Sequence, residues 1–471
     1  MERRSPSPSA FHAGPFSKVP RPRSERGLEA IAETKFYDFR CGLKYCIIYS
    51  FPETDTEGGM VMAGLPAGSI DRMAYSAKRE HFIVGLMSGT SLDGIDAVLT
   101  KIETGEDTSV SSVSLLAHRY LPYSSEMRTR IGALCAIETA RLDDLVYAHF
   151  GLGEWYAAIV LDLLAGAGRP ASSIDAICMH GQTIWHAPEP RAFPGPMGDI
   201  GVKGTLQIGA SAVLRERTGI PVISDLRSRD MAAGGEGAPL APYVDGILFG
   251  SRSLGRIVQN IGGIGNATVV PAGSGTADLI AFDTGPGNML MDAVVHALSK
   301  GERRYDPEGT IAAQGKVDEG IVTRLMADPY FRREPPKSTG REVYGHGFAA
   351  SFMDDSRKSG LSFADQVATA TAFTAESIAR SYTDFILPRA KIDEVLVAGG
   401  GAKNPTLIAM IRERLPKSIV VTTISERGVP DEAREAMAFA VMGHESLMGR
   451  PGNLPAVTGA RAAVVLGTLT L

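Results

Sequence analysis

Gly85-Leu86-Met87-Ser88-Gly89-Thr90-Ser91-Leu92-Asp93-Gly94-Ile95-Asp96 is the stretch that decides the fold. Apolar residues lead into it (Phe82-Ile83-Val84) and out of it (Ala97-Val98-Leu99), while its middle is Gly, Ser and Thr. Strand, small polar turn, strand is a hairpin signature. Such a turn can aim several backbone N–H groups at one anion, and glycine lets the anion approach closely. The signature returns in the second half: Arg256-Ile257-Val258-Gln259-Asn260-Ile261, then Gly262-Gly263-Ile264-Gly265-Asn266, then Ala267-Thr268-Val269-Val270. A third glycine run, Gly399-Gly400-Gly401, follows the apolar Val395-Leu396-Val397-Ala398 and precedes a helix-like segment near 404–414. One such turn needs only the glycine of an ordinary tight hairpin. Two of them plus the third run favour nucleotide binding between two related α/β lobes. Neither a GxxxxGK[ST] loop nor a strand-linked GxGxxG is present, which sets aside the P-loop and Rossmann readings.

The 471 residues are enough for about two or three domains. Lys+Arg number 48 against 53 Asp+Glu, a net charge of -5, which argues against a dedicated nucleic-acid binder. No apolar run approaches the ~18 residues of a membrane span. Cys41, Cys46, Cys135 and Cys178 form no CxxC pair, so neither a zinc site nor a disulfide framework is expected, and a reducing cytoplasm fits. The first 26 residues hold six basic and two acidic residues among Pro and Ser. Residues 1–80 read as a disordered extension or an over-extended start with Met73 as initiator, the alternative being a transit peptide. Tyr45-Cys46-Ile47-Ile48-Tyr49 is a short strand candidate there. The coherent pattern begins at His81. It continues with a helix over about 140–166, buried strands at 174–179 and 220–224, and helices around Asp292 and over 431–447. The expected division is 81–230 plus about 450–471 as lobe I and 231–449 as lobe II.

The polar residues at strand ends carry the chemistry. Asp283, in Phe282-Asp283-Thr284-Gly285-Pro286-Gly287-Asn288, stands before a Gly-Pro-Gly turn, where it serves either as a general base in a cleft or as a turn or helix cap. Asp292 lies within reach of a metal or a sugar hydroxyl. His180-Gly181-Gln182-Thr183 and Asp225-Leu226-Arg227-Ser228-Arg229-Asp230 supply the groups that bind sugar hydroxyls, and Arg can hold a carboxylate in a fork. The plainer alternatives are a core histidine at 180 and a solvated turn at 225–230.

The opening stretch resembles the start of the anhydro-N-acetylmuramic acid kinases. The blocks at 180–183, 225–240, 260–263, 282–288, 336–342, 399–402 and 451–453 resemble that family in the same order. The resemblance implies a two-lobed actin/hexokinase/Hsp70-like (ribonuclease H-like) α/β fold with the nucleotide cleft between lobes. It implies ATP and Mg²⁺, and a reaction that hydrolyses the 1,6-anhydro ring of 1,6-anhydro-N-acetylmuramic acid and phosphorylates O6, in cell-wall recycling. It makes Gly89, Thr90, Ser91, Leu92, Asp93, Gly94, Ile95 and Asp96 the phosphate segment, joined by Asn260, Gly262 and Gly263. Gly399, Gly400 and Gly401 come under the adenosine, and Asp283 becomes the catalytic base. Gln182, Thr183, Arg227, Arg229, Asp230 and Glu435 become the sugar-side candidates, with no metal ligand assigned. Glu236 stands where the family often has Gln. The expected partners are the sugar and ATP, with neither nucleic acid nor membrane, and a homodimer is a candidate assembly.

Overall fold

A computed structural model describes residues 71–275 and 278–471. The strand candidate at Tyr45–Tyr49, and Cys41 and Cys46, lie outside the described residues.

The opening hairpin forms as β1 (Glu80–Ser88) and β2 (Gly94–Thr104), and β3 (Val110–Pro122) extends it into an antiparallel meander. The helix Leu142–Gly166 crosses over to β4 (Ala176–Gly195), which runs parallel to β1. β5 (Gly198–Ile208) folds back along β4, and the helix Ser211–Thr218 leads to β6 (Val222–Ser224), parallel to β4. The second half repeats the path. β7 (Arg256–Ile261), β8 (Ile264–Val270) and β9 (Ile280–Pro286) form a meander. Helices follow, then β10 (Glu394–Ala398) parallel to β7 and β11 (Val420–Thr423) parallel to β10. The chain returns with β12 (Thr468–Thr470), antiparallel to β6. The order β6-β4-β1-β2-β3 in the first sheet is therefore matched by β11-β10-β7-β8-β9 in the second. This duplicated ribonuclease H-like path is the actin/hexokinase/Hsp70-like fold.

The period of two along β1 assigns its faces. Val84 and Leu86 pack with Tyr156, Val160 and Leu163 of the helix Leu142–Gly166. Ile83 points the other way, into a core with Phe439 and Val441. Those two residues belong to the helix Asp431–Met448, which lies across β1, β2 and β4. Placed with lobe II by sequence order, this helix packs on the first sheet, and its Ala433, Ala436 and Met437 also join Val98 to Val258 and Leu396 of the second. Glycine makes the approach possible. A Cβ on Gly85 would stand 1.9 Å from the Ala436 carbonyl oxygen, and one on Gly443 2.5 Å from Cys178 Cβ.

Residues 71–80, expected to lie outside the folded part, belong to it. Asp71 caps the helix Arg72–Ala77, Tyr75 is buried, and its hydroxyl meets His444 Nδ1 at 2.7 Å. Met73 sits inside this helix. Six helical residues are too few for a periodic pattern to register in sequence.

Gly85→Ala is expected to cost about 1–3 kcal/mol or more, since neither backbone can retreat without moving a whole element. A urea-denaturation midpoint matching the parent would contradict this packing.

Candidate active site

The turn at 89–93 is held from below. The Gln182 side-chain amide donates to the Gly89 carbonyl (3.0 Å), and its carbonyl accepts from the Tyr123 hydroxyl (3.2 Å). Ser88 Oγ meets the Tyr156 hydroxyl at 2.5 Å. Leu92 adopts φ 56°, a left-handed conformation that costs a non-glycine residue roughly 1–2 kcal/mol. Its side chain packs on the first core, which offsets that cost. Ile95 is wholly buried in the same core, so within the expected phosphate segment it is floor rather than contact. The amides of Thr90 and Ser91 have no acceptor among the described residues. On β2, Asp96 meets His118 Nε2 at 2.8 Å. Burial raises the Asp96 carboxyl, His118 opposes, and Asp93 and Glu432 push it further up.

The glycine runs of the second lobe converge at the ends of β7 and β10, where open α/β sheets bind ligands. The amides of Gly287 and Asn288 donate to the carbonyls of Gly263 (2.9 Å) and Gly262 (2.7 Å). Gly399, at φ 79°, lies so close to β7 that a Cβ would be 2.7 Å from Asn260 Oδ1. The Gly399 amide donates to Asp431 at the start of the helix Asp431–Met448 (3.2 Å). Gly400 borders a 650 Å³ cavity with Asn288, Asp292, Asp306 and Lys403. Burial, reinforced by Asp306, pushes the Asp292 carboxyl up to about 7.

Two cavities abut between the lobes, sharing Ala238, Pro239, Pro242 and Asn266. One, of 260 Å³, holds Arg227, Asn260, Arg434 and Glu435. The other, of 490 Å³, holds Asp283, Glu236, Arg333 and Lys337. Asp283 lies on β9, its Oδ2 accepting from the Thr339 amide at 3.0 Å. Burial pushes its carboxyl up to about 6, against the pull of that amide and with a further push from Glu342. A carboxylate so poised near neutrality is suited to take a proton. Its turn-or-cap alternative is not what the structure shows, since Asp283 is inside a strand and its carboxylate reaches a separate loop.

The sugar-side candidates divide. Arg227 and Glu435 meet in the 260 Å³ cavity. Arg227 Nε donates to His180 Nε2 (2.9 Å) and its terminal nitrogen to the Gly237 carbonyl (2.7 Å), while His180 Nδ1 reaches the Ser88 carbonyl (3.2 Å). Burial and Arg227 bring His180 down to about 3, so it stays neutral and orients the guanidinium. Glu435 is open to the cleft yet deep between the lobes, and desolvation raises its carboxyl.

The other four candidates stand elsewhere. Asp230 is fully buried and accepts from the Gly237 amide, Asn453 Nδ2 and Thr458 Oγ1, so it braces the 230–237 loop against the C-terminal segment. Gln182 supports the turn at 89–93, as above. Thr183 accepts from Gln207 within the β4–β5 ribbon. Arg229 is exposed and borders neither interlobe cavity. The residues that sequence reasoning missed are Arg333 and the Arg434–Asp245 pair. Arg434 grips Asp245 with contacts of 2.6 and 2.7 Å, and Thr268 adds a hydrogen bond to that carboxylate. Only the density of charge in 332–342 and 431–435 hinted at them.

A family model for anhydro-N-acetylmuramic acid kinases matches residues 81–471. The chain belongs to this family. It is 44% identical to the anhydro-N-acetylmuramic acid kinase of Caldanaerobacter subterraneus subsp. tengcongensis over 395 residues, covering 84% of this chain and 98% of that one. Against the kinase of the same name from Bacillus cereus it is 42% identical over 83% of this chain and 99% of the other. For Salinibacter ruber the figures are 39%, 85% and 98%. The protein is therefore a kinase that uses a sugar and ATP. Among the described residues no helix is long and apolar enough to cross a membrane.

Gln182→Met would remove the side-chain donor from the Gly89 carbonyl, which keeps the Leu92 amide (3.3 Å), and the acceptor from the Tyr123 hydroxyl. A combined loss of about 1–2 kcal/mol should raise the KM for ATP roughly 5- to 30-fold. Steady-state kinetics with ATP varied reads this directly, and an unchanged KM would contradict the support role.

Proposed function

We propose that the enzyme opens the 1,6-anhydro ring of 1,6-anhydro-N-acetylmuramic acid and phosphorylates O6 in one coupled reaction, giving N-acetylmuramic acid 6-phosphate and ADP. The observation that carries the reading is Asp283: a poised carboxylate in a cavity that abuts the interlobe cleft. The sugar occupies the 490 Å³ cavity and the nucleotide phosphates reach from the turn at 89–93. Asp283 takes a proton from water as the water oxygen bonds to C1. The C1–O6 bond breaks, O6 bonds to the γ-phosphorus, and the bond from that phosphorus to the bridging oxygen breaks to release ADP. Because O6 passes straight to phosphorus, no separate acid is needed to protonate it.

Positioning and charge neutralisation carry the phosphoryl transfer. The free amides of Thr90 and Ser91 supply donors at the anion. Mg²⁺ belongs to this reading. The donor set fits it: Asp93 raises the carboxyls of both Asp96 and Glu435, and a divalent cation relieves that cost. No cluster of three or more ligating side chains occurs among the described residues. Mg²⁺ typically takes one or two carboxylates and leaves its other positions to phosphates and water. Bound there, it would neutralise charge on the β- and γ-phosphates. Arg227 is our candidate for the lactyl carboxylate, with Glu435 as its neighbour in the cleft. Gly399 to Gly401 lie under the adenosine. The 81–230 and 450–471 segments with 231–449 form the two lobes of this reading, save that the helix Asp431–Met448 rides on the first. A cytoplasmic place in peptidoglycan recycling completes it.

The decisive experiment is turnover with ATP, Mg²⁺ and the anhydro-sugar in ¹⁸O water. Label at C1 of a 6-phosphate product is expected, and product carrying phosphate without added water would overturn the coupled reaction. Asp283→Asn should lower kcat by about 10²–10⁴-fold while sparing ATP binding. The pH profile follows from the raised carboxyl. The base form is present above about 6 and lost as pH falls through it, so kcat should decline on an acid limb near pH 6. A flat profile down to pH 5 would exclude Asp283 as the base.

A further inference from the structure

Asp283 is wrapped by one segment. Its amide donates to the Lys337 carbonyl (3.0 Å), its carbonyl accepts from the Tyr330 hydroxyl (2.7 Å), and its carboxylate takes the Thr339 amide (3.0 Å). The side chain that fastens this segment is a lysine. Lys337 is 4% exposed, and its ammonium donates to the Tyr330 carbonyl (3.3 Å). Three rings surround that nitrogen: Phe385 at 4.4 Å, Tyr330 at 4.8 Å and Phe282 at 5.9 Å from their centroids. No carboxylate pairs with it among the described residues.

A buried ammonium without a counter-ion is costly, and a hydrocarbon side chain would fill the same box more cheaply. The ring faces return part of that cost. What the cation adds over a hydrocarbon is direction: it ties the carbonyl of Tyr330 to a box built from β9 and the helical segment that carries Phe385. Tyr330 and Thr339 are the two ends of the wrap around Asp283.

We propose that Lys337 is a positioning residue for the base, its caged ammonium fixing the Tyr330–Thr339 wrap so that the Thr339 amide stays on the Asp283 carboxylate. This rests on the reading of Asp283 as general base. Lys337 borders the sugar cavity, but its ammonium is committed to the rings and to Tyr330, so it acts through Asp283 rather than on the sugar. The charged groups near the pair are Glu342 towards Asp283, and Asp384, Arg333 and Glu334 towards Lys337. None of these changes in the variants below.

The test uses the full chain and the pH profile of kcat. Lys337→Met keeps length and fills an aromatic box well, so the chain should fold, as thermal unfolding would check. Releasing the Thr339 amide removes the group that holds the carboxyl down. The acid limb should therefore move up by about one pH unit, with kcat at pH 6 falling about fivefold and both KM values little changed. Lys337→Arg keeps a cation over the rings and should restore the limb. Phe385→Leu, neutral and outside the lining of the sugar cavity, removes one face of the box and should move the limb the same way by less. An unmoved limb in Lys337→Met, or a raised sugar KM with an unmoved limb, overturns the proposal. Full turnover by Asp283→Asn overturns the reading beneath it, and that result is obtained without any Lys337 variant.

Discussion

The contact between the Gly85 backbone and the Ala436 carbonyl sets the level at which the helix Asp431–Met448 lies on the first sheet. Much of the cleft hangs from that helix. Its first residue takes the Gly399 amide of the second lobe. One turn on, Arg434 grips Asp245, which also accepts from Thr268 of β8. Glu435 beside it faces the cleft, and His444 near the far end meets the Tyr75 hydroxyl. A buried ion pair such as Arg434–Asp245 is weak evidence for net stability, since desolvation offsets most of the attraction. Its forked geometry still fixes where the neighbouring carboxylate points.

The polar residues of the site serve two trades. Gln182, Asp230 and His180 spend their hydrogen bonds on the protein: on the phosphate turn, on the C-terminal segment, on a guanidinium. Asp283, Glu435 and Arg227 keep a face turned to the cavities. The first group explains how the second can be presented at all. A turn with a left-handed Leu92 would relax if Gln182 and Tyr156 did not hold its start. An arginine lining a cleft would collapse on a neighbouring carboxylate such as Glu435 if His180 did not claim one of its donors.

How much of this was legible in the sequence follows from what leaves a pattern. The two meanders were readable because period-two apolar runs meet glycine turns, and the helix Leu142–Gly166 because its apolar stripe is long. β4 was expected to stop near 179 and runs to Gly195. Its second half contains Pro188, Glu189, Pro190 and Arg191, residues that read as a loop, and it stays extended because β5 pairs with it. That Asp283 would stand on a strand just before a Gly-Pro-Gly turn was readable from its motif. Gln182 and Asp230 were not separable from Arg227, because the residue types that bind sugar hydroxyls are those that bind backbone. Only the partners distinguish them. Chain order likewise could not tell on which sheet the helix Asp431–Met448 would rest.

The supports of the turn at 89–93 all come from the chain itself, so the conformational entropy of ordering it falls on folding. A seat of this kind does not adjust to its occupant. On the proposed reading it selects by shape, favouring a chain of phosphates that matches the amides of Thr90 and Ser91 over an anion of another geometry.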